Sequence, residues 1–405
     1  MNQNVYREYL AILREEIVPA LGCTEPIAIA YAAAKARSVL GRLPEHIDVR
    51  CSGNIIKNVK AVIVPTTGNM KGIETSAVLG AVGGNPDKKL EVLTDVSPKD
   101  LELTWELLRK KICSVSLLEG VSNLQIIVEM TAGQESALVE IAFSHTNIVR
   151  IEHNGTVVMK KGMSAQNATE TDRSLLNLHD IYDFANTVDI AREGLSNKYG
   201  ANVGSTILEH YGSDARTMAR ALPAAGSDAR MNGCVLPVMI NSGSGNQGMT
   251  VSLPVQVFAD ALGVSREKKI RALVLSNLIA IYQKNELGKL SAYCGAVSAA
   301  VGAGAAIAYL HNADFDVIEG TIVNTLGNVS GIVCDGAKAS CAAKIASSVD
   351  AAILAYYMAS ERRGFRNGEG LVKESAEKTL KSYGRMGREG MRATDIEILR
   401  IMLEN

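Results

Sequence analysis

The sequence predicts an α+β protein in which a large, mostly helical domain is interrupted by a smaller α+β domain. Residues 45–162 contain short, β-branched, often alternating segments such as HIDVRCSGN, LQIIVEMTA and ALVEIAF, which suit half-buried strands. The flanking residues instead place apolar positions at helical spacing. Aromatics make up 4% of the 405 residues while Gly and Ala are plentiful, so the core should rest on close helix contacts rather than large rings. The expected division is 1–43 with 163–405 as the helical domain and 44–162 as the insert.

Taken in order, the first helix is amphipathic, with Tyr6, Leu10, Leu13 and Ile17 on one face. It should end before Leu21-Gly22-Cys23-Thr24-Glu25-Pro26, where Pro26 suits the first residue of a second helix that Gly41 closes. Within the insert, NVKAVIVP and KLEVLTD read as further strands, and GIETSAVLGAVGG and SPKDLELTWELLRKKI as helices. The sequence HNGT at 153–156 predicts a hairpin turn. Beyond Met163, helices are expected near 176–195, 203–222, 253–263, 266–284, 294–311, 315–327, 335–360 and 370–382. The uncharged stretch Tyr293–Leu310 approaches the length of a membrane span, but its small residues suit burial between other helices. GSDAR occurs at 212–216 and 226–230 and reads as two local turns.

A net charge of -1 with 21% charged residues offers no basic field for nucleic acid or an anionic membrane. The N-terminus carries charges through its apolar positions and lacks the hydrophobic region of a signal peptide, so a cytoplasmic location is expected. Seven cysteines, an odd count, then read as reduced thiols, ligands or catalysts rather than a disulfide framework.

Four of these thiols have chemically suggestive settings. Cys334 and Cys341 are seven residues apart, so a continuous helix would put both on one face. With Cys334 in the loop before that helix, its sulfur could instead swing towards Cys341. Cys294 opens the small-residue helix, beside Gly295, which would admit a bulky inorganic group. Spacing alone leaves open whether the three are buried small hydrophobes or ligands. As thiolates they suit a cubane iron–sulfur cluster with one iron free to act as a Lewis acid. Cys23 lies just ahead of a helix start, where unpaired N–H groups and the dipole favour a thiolate. Cys51, Cys113 and Cys234 read as core.

Two polar loops could hold an anion. Asn241–Gly248, with Ser244, Asn246, Gln247 and Gly248, is rich in Gly and amides yet lacks the GK[ST] ending of a phosphate loop. Pro65–Gly72, with Thr66, Thr67 and Gly68, precedes a helix start. A plain turn explains either loop equally well. The six histidines show no metal-like spacing, and no lysine has a setting that suggests a Schiff base.

GCTEP at 22–26, NSGSGNQG at 241–248, CGAVSAAVGAG from Cys294 and CDGAKASCAAKI at 334–345 together resemble the L-cysteine desulfidase family. That family includes uncharacterised members and is similar to the α chain of iron–sulfur L-serine dehydratases. The resemblance spans essentially the whole chain, with the four motifs in the family's order. It implies a 4Fe–4S cluster held by Cys294, Cys334 and Cys341, and Cys23 as proton acceptor. It also implies conversion of L-cysteine and water to pyruvate, ammonia and hydrogen sulfide. The spacing of seven between the last two cysteines favours this family over the dehydratases. Thr66–Gly68 and Asn246–Gly248 are the segments expected to hold the substrate's carboxylate and amine. The partner expected is a small amino acid, L-cysteine or L-serine, with no nucleic acid or membrane and with a homodimer as the assembly to test. The rival readings are an L-serine or L-threonine dehydratase, a pyridoxal-phosphate lyase and a non-catalytic cluster sensor.

Overall fold

The computed structural model describes residues 3–162, 195, 199–234, 236–288 and 290–404. The helix expected near 176–195 lies, but for Leu195, outside the described residues. Helix α1 (Gln3–Glu16) leads through a three-residue strand β1 (Pro19–Leu21) into α2 (Thr24–Leu40). Strand β2 (His46–Ser52) and helices α3 (Gly53–Val59), α4 (Ile73–Gly83) and α5 (Pro98–Arg109) follow. Then come β3 (Cys113–Leu118), β4 (Gln125–Ala132), β5 (Glu135–Ala142), β6 (Ile148–His153) and β7 (Thr156–Lys160). These strands form one six-stranded sheet in the order β3-β2-β4-β5-β6-β7, parallel only between β2 and β3. The α+β class is as the alternating segments predict. The β6–β7 hairpin turns at Asn154 and Gly155, both at positive φ, as the HNGT signal requires.

The rest is helical: α6 (Val203–Tyr211), α7 (Ala215–Met231), α8 (Gly245–Ala261), α9 (Arg266–Leu287), α10 (Gly295–Leu310), α11 (Phe315–Val329), α12 (Cys341–Ser360), α13 (Ala376–Arg385) and α14 (Arg392–Leu403). A short strand β8 (Pro237–Met239) lies between α7 and α8 and pairs antiparallel with β1. The small-residue helix α10 is buried along nearly its whole length in one core with residues of α8, α9, α11 and α12. At Gly302 a Cβ would stand 2.2 Å from the Ser276 carbonyl of α9, so glycine lets the two helices touch backbone to backbone. Among the described residues, no helix is long and apolar enough to cross a membrane. Helix α2 packs with the sheet in a second core, where Ile27, Ile29 and its alanines meet Val128, Val139 and Ile141.

Several local readings change. NVKAVIVP alternates like a strand, but its first two residues end α3, where Ile55, Ile56 and Val59 are buried at helical spacing. KLEVLTD falls in a 3-10 turn and the turns after it, burying Leu90, Val92 and Leu93 without ladder partners. Helix α2 begins two residues before Pro26, with Cys23 itself as N-cap. The predicted helix 203–222 is two helices, because Asp214 caps a new start by accepting from Thr217 N–H. The second GSDAR lies inside α7, not in a turn.

Candidate active site

Residues far apart in the sequence enclose a cavity of about 100 Å³, well below the roughly 300–1,000 Å³ of sites for drug-sized ligands. Cys23, Cys294, Cys334 and Cys341 all line it. Cys51 and Cys234 are buried elsewhere, and Cys113 is half-buried on β3.

Three thiols form one wall. Cys294 is the N-cap of α10, and its N–H donates to the Ile332 carbonyl at 3.1 Å. Cys334 N–H returns the bond to the Ala292 carbonyl at 2.6 Å, around an antiparallel bridge between Tyr293 and Val333. Backbone pairing thus holds two cysteines forty residues apart. Helix α12 begins at Cys341, so Cys334 stands in the loop ahead of it and the one-helix-face alternative falls away. Burial pushes the Cys294 thiol up to about 12, and Cys334 and Cys341 add to the rise. Burial and Cys334 raise Cys341 likewise, so the three sulfurs are electrostatic neighbours.

Lysines surround this wall. Lys344 donates to the Val333 carbonyl at 2.9 Å and pairs with Asp335. Burial would raise the Asp335 carboxyl, but Lys338 and Lys344 overcome that and hold it at about 2. Lys57, buried, donates to the Cys334 carbonyl at 3.2 Å and to Asp395 at 2.6 Å. Asn54 donates to the other Asp395 oxygen at 2.7 Å.

Among the described residues no three His, Cys, Asp or Glu side chains gather closely enough for a single metal ion. A cubane asks for something else, because each of its cysteines binds a different iron and the sulfurs stand further apart. Three cysteine side chains lining one cavity, one buried and two half-buried, with lysines beside them, fit such an anionic cluster.

The opposite wall is polar. Glu25 is buried and accepts from the Cys23 thiol at 3.3 Å, the Thr24 hydroxyl at 3.0 Å and Asn58 Nδ2 at 3.0 Å. His145 Nε2 lies 3.9 Å from Glu25, beyond hydrogen-bond reach. Burial would raise the Glu25 carboxyl, yet His145, Arg230 and the Cys23 thiol together hold it at about 2. Arg230, in the last turn of α7, donates to the Gly22 carbonyl at 3.0 Å and to Asn246 Oδ1 at 3.2 Å. Buried Lys284 of α9 also lines the cavity.

The expectation that the helix start lowers the Cys23 pKa is overturned. Its sulfur makes no cap hydrogen bond; it faces Glu25, and burial followed by that carboxylate pushes the thiol far up. In this arrangement Cys23 is a protonated donor.

Of the expected binding residues, Ser244, Asn246 and Gln247 line the cavity, whereas Thr66, Thr67, Gly68 and Gly248 do not. The Thr66 and Thr67 hydroxyls donate to the Pro65 and Val64 carbonyls, each at 2.6 Å. Pro65 packs behind Gly22, where a Cβ would lie 2.3 Å from its ring, so the proline, not the threonines after it, touches GCTEP. The glycines of 241–248 make room: a Cβ on Gly243 would meet His145 at 2.8 Å, and on Gly245 Arg230 Nε at 2.5 Å. Gly248 lets α8 touch the Met239 carbonyl, and Gly295 accommodates Gln247 rather than an inorganic group.

Sequence reading missed Glu25, Arg230, His145 and Lys284. Glu25 stood inside a quoted motif, and Arg230 inside the repeated GSDAR. His145 and Lys284 carried no local signal.

The chain matches the family model described as serine dehydratase alpha chain over residues 87–400. It is 55% identical to a UPF0597 protein of Lachnoclostridium phytofermentans, over 98% of this chain and 100% of that protein. A UPF0597 protein of Treponema denticola is 45% identical over the full length of both. On these matches the chain belongs to the serine dehydratase alpha chain family.

Proposed function

We propose that this protein is a cytoplasmic lyase that uses a 4Fe–4S cluster to convert L-cysteine into pyruvate, ammonia and hydrogen sulfide by α,β-elimination. The observation that carries the reading is the convergence of Cys294, Cys334 and Cys341 on the cavity that also holds Cys23 and Glu25. With three protein ligands, a bound cluster would supply one open iron as a Lewis acid.

The chain's own residues do the remaining work. Cys23 is assigned as acceptor of the substrate's Cα proton, and Glu25, which accepts the thiol hydrogen at 3.3 Å, orients its sulfur in the cavity. Asn246 and Gln247 position the amino acid, and the buried walls exclude water from the departing sulfide. The resulting aminoacrylate tautomerises and hydrolyses without protein help.

The family's description favours a second reading, elimination of hydroxide from L-serine or L-threonine. Anaerobically reconstituted protein assayed with L-cysteine and L-serine separates the two. Pyruvate with sulfide from L-cysteine is expected; pyruvate from L-serine alone overturns the first reading. Absence of iron and acid-labile sulfide after reconstitution overturns both.

A further inference from the structure

Arg230 is 3% exposed, lines the cavity and keeps most of its donors free. A guanidinium has five N–H donors, and the bonds to Gly22 and Asn246 occupy two of them. Among the described residues no carboxylate lies within ion-pairing distance of it. The nearby anion, Glu25, spends its oxygens on Cys23, Thr24 and Asn58 and senses Arg230 only through space. A buried cation without a paired anion is costly, and a planar fork with spare donors is the geometry that takes a carboxylate in two bonds. The fold keeps room for this side chain, since glycine at 245 is what allows Nε its place.

The same cavity contains unpaired acceptors. The side-chain oxygens of Asn58 and Gln247 line it and receive no hydrogen bond. Carbonyl oxygens near an arginine give the two poles that a zwitterion needs.

We propose that Arg230 anchors the carboxylate of a free α-amino acid, with the Asn58 and Gln247 oxygens facing its ammonium group. This assignment rests on reading the cavity as the site of an amino-acid lyase. It makes an unblocked α-carboxylate the entry requirement and leaves the side chain to meet the thiol wall. Amides and amines are excluded as substrates because they cannot satisfy the guanidinium, and peptides because no residue of theirs carries both a free carboxylate and a free ammonium.

The test is calorimetric binding of L-alanine, which has no leaving group, and of L-alaninamide, which has no carboxylate, to the anaerobically reconstituted protein. L-Alanine should bind and L-alaninamide should bind at least about 10-fold more weakly. Arg230→Gln should weaken L-alanine binding about 100-fold with iron content and visible absorbance unchanged, while Arg230→Lys retains part of the affinity. Equal binding of alanine and alaninamide, or of neither, by the unmutated protein overturns the assignment without any variant. So does unaltered alanine affinity in either variant. Arginine-dependent alanine binding without pyruvate from any substrate upholds the anchor and sinks the lyase. Pyruvate formation with an unchanged KM in Arg230→Lys and Arg230→Gln does the reverse.

Discussion

The two walls of the cavity are built on different principles. The thiol wall draws Cys294, Cys334 and Cys341 from a 48-residue stretch and fixes two of them by main-chain bonds at a single β-bridge. The polar wall draws Glu25, Asn58, His145, Arg230 and Gln247 from five separate elements and loops; Asn58 bonds Glu25 and Arg230 bonds Asn246 through side chains, while His145 and Gln247 face the cavity without such a bond to the others. Backbone pairing gives rigid placement that tolerates side-chain change nearby. Side chains held by single bonds, or by none, can readjust to a ligand. The contrast suits a division in which one wall grips a permanent group and the other a substrate that comes and goes.

The largest effect should come from removing one member of each wall. Cys294→Ala is expected to lose bound iron, visible absorbance and turnover together. Cys23→Ala should keep iron and absorbance while turnover falls by about 10²–10⁴. Intact turnover in either, or iron loss in Cys23→Ala, would erase the distinction between the walls.

Next in size, Asp395→Ala strands buried Lys57 and frees the Cys334 carbonyl from a clamped neighbour. The expected cost is about 3 kcal/mol in chemical denaturation, with faster amide exchange around 333–336. An unchanged denaturation midpoint would show that the lysine finds another partner and that the bridge alone holds the thiol wall.

Gly302→Ala attacks the scaffold behind both walls, because α9 carries Lys284 and Cys294 caps the start of α10. The methyl would stand 2.2 Å from the Ser276 carbonyl, and forcing the helices apart should cost about 2 kcal/mol. A variant as stable as the parent would mean that the helices separate freely.

The smallest effect concerns the helix that delivers Arg230. Two residues earlier, burial raises the Asp228 carboxyl from 3.8 to about 6, against backbone N–H donors led by Gly204. The folded protein therefore holds this proton more tightly than the unfolded chain. Its stabilising share is complete below pH 3.8 and lost as pH rises through about 6. Asp228→Asn should melt about 2 °C higher than the parent at pH 7.5, with the gain vanishing near pH 4. A gain constant across that range would point to a cause other than ionisation.

By itself the sequence determined the α+β class, the hairpin at Asn154-Gly155 and the burial of the small-residue helix, because periodicity, turn chemistry and hydrophobicity are local properties. It also singled out four thiols, since cysteines are few and their spacing is visible. Tertiary structure decided that NVKAVIVP leaves α3 without joining the sheet and that Thr66–Gly68 stays off the cavity while Pro65 packs behind Gly22. It also decided that the Cys23 thiol is held protonated by burial and Glu25, the reverse of what its place at a helix start implies. Glu25, His145 and Arg230 come from segments with no mutual spacing signal, and long-range packing alone makes them neighbours. An isolated charged residue in a sequence looks like a solvated surface group. Burial beside a partner, or without one, is what gives it chemistry.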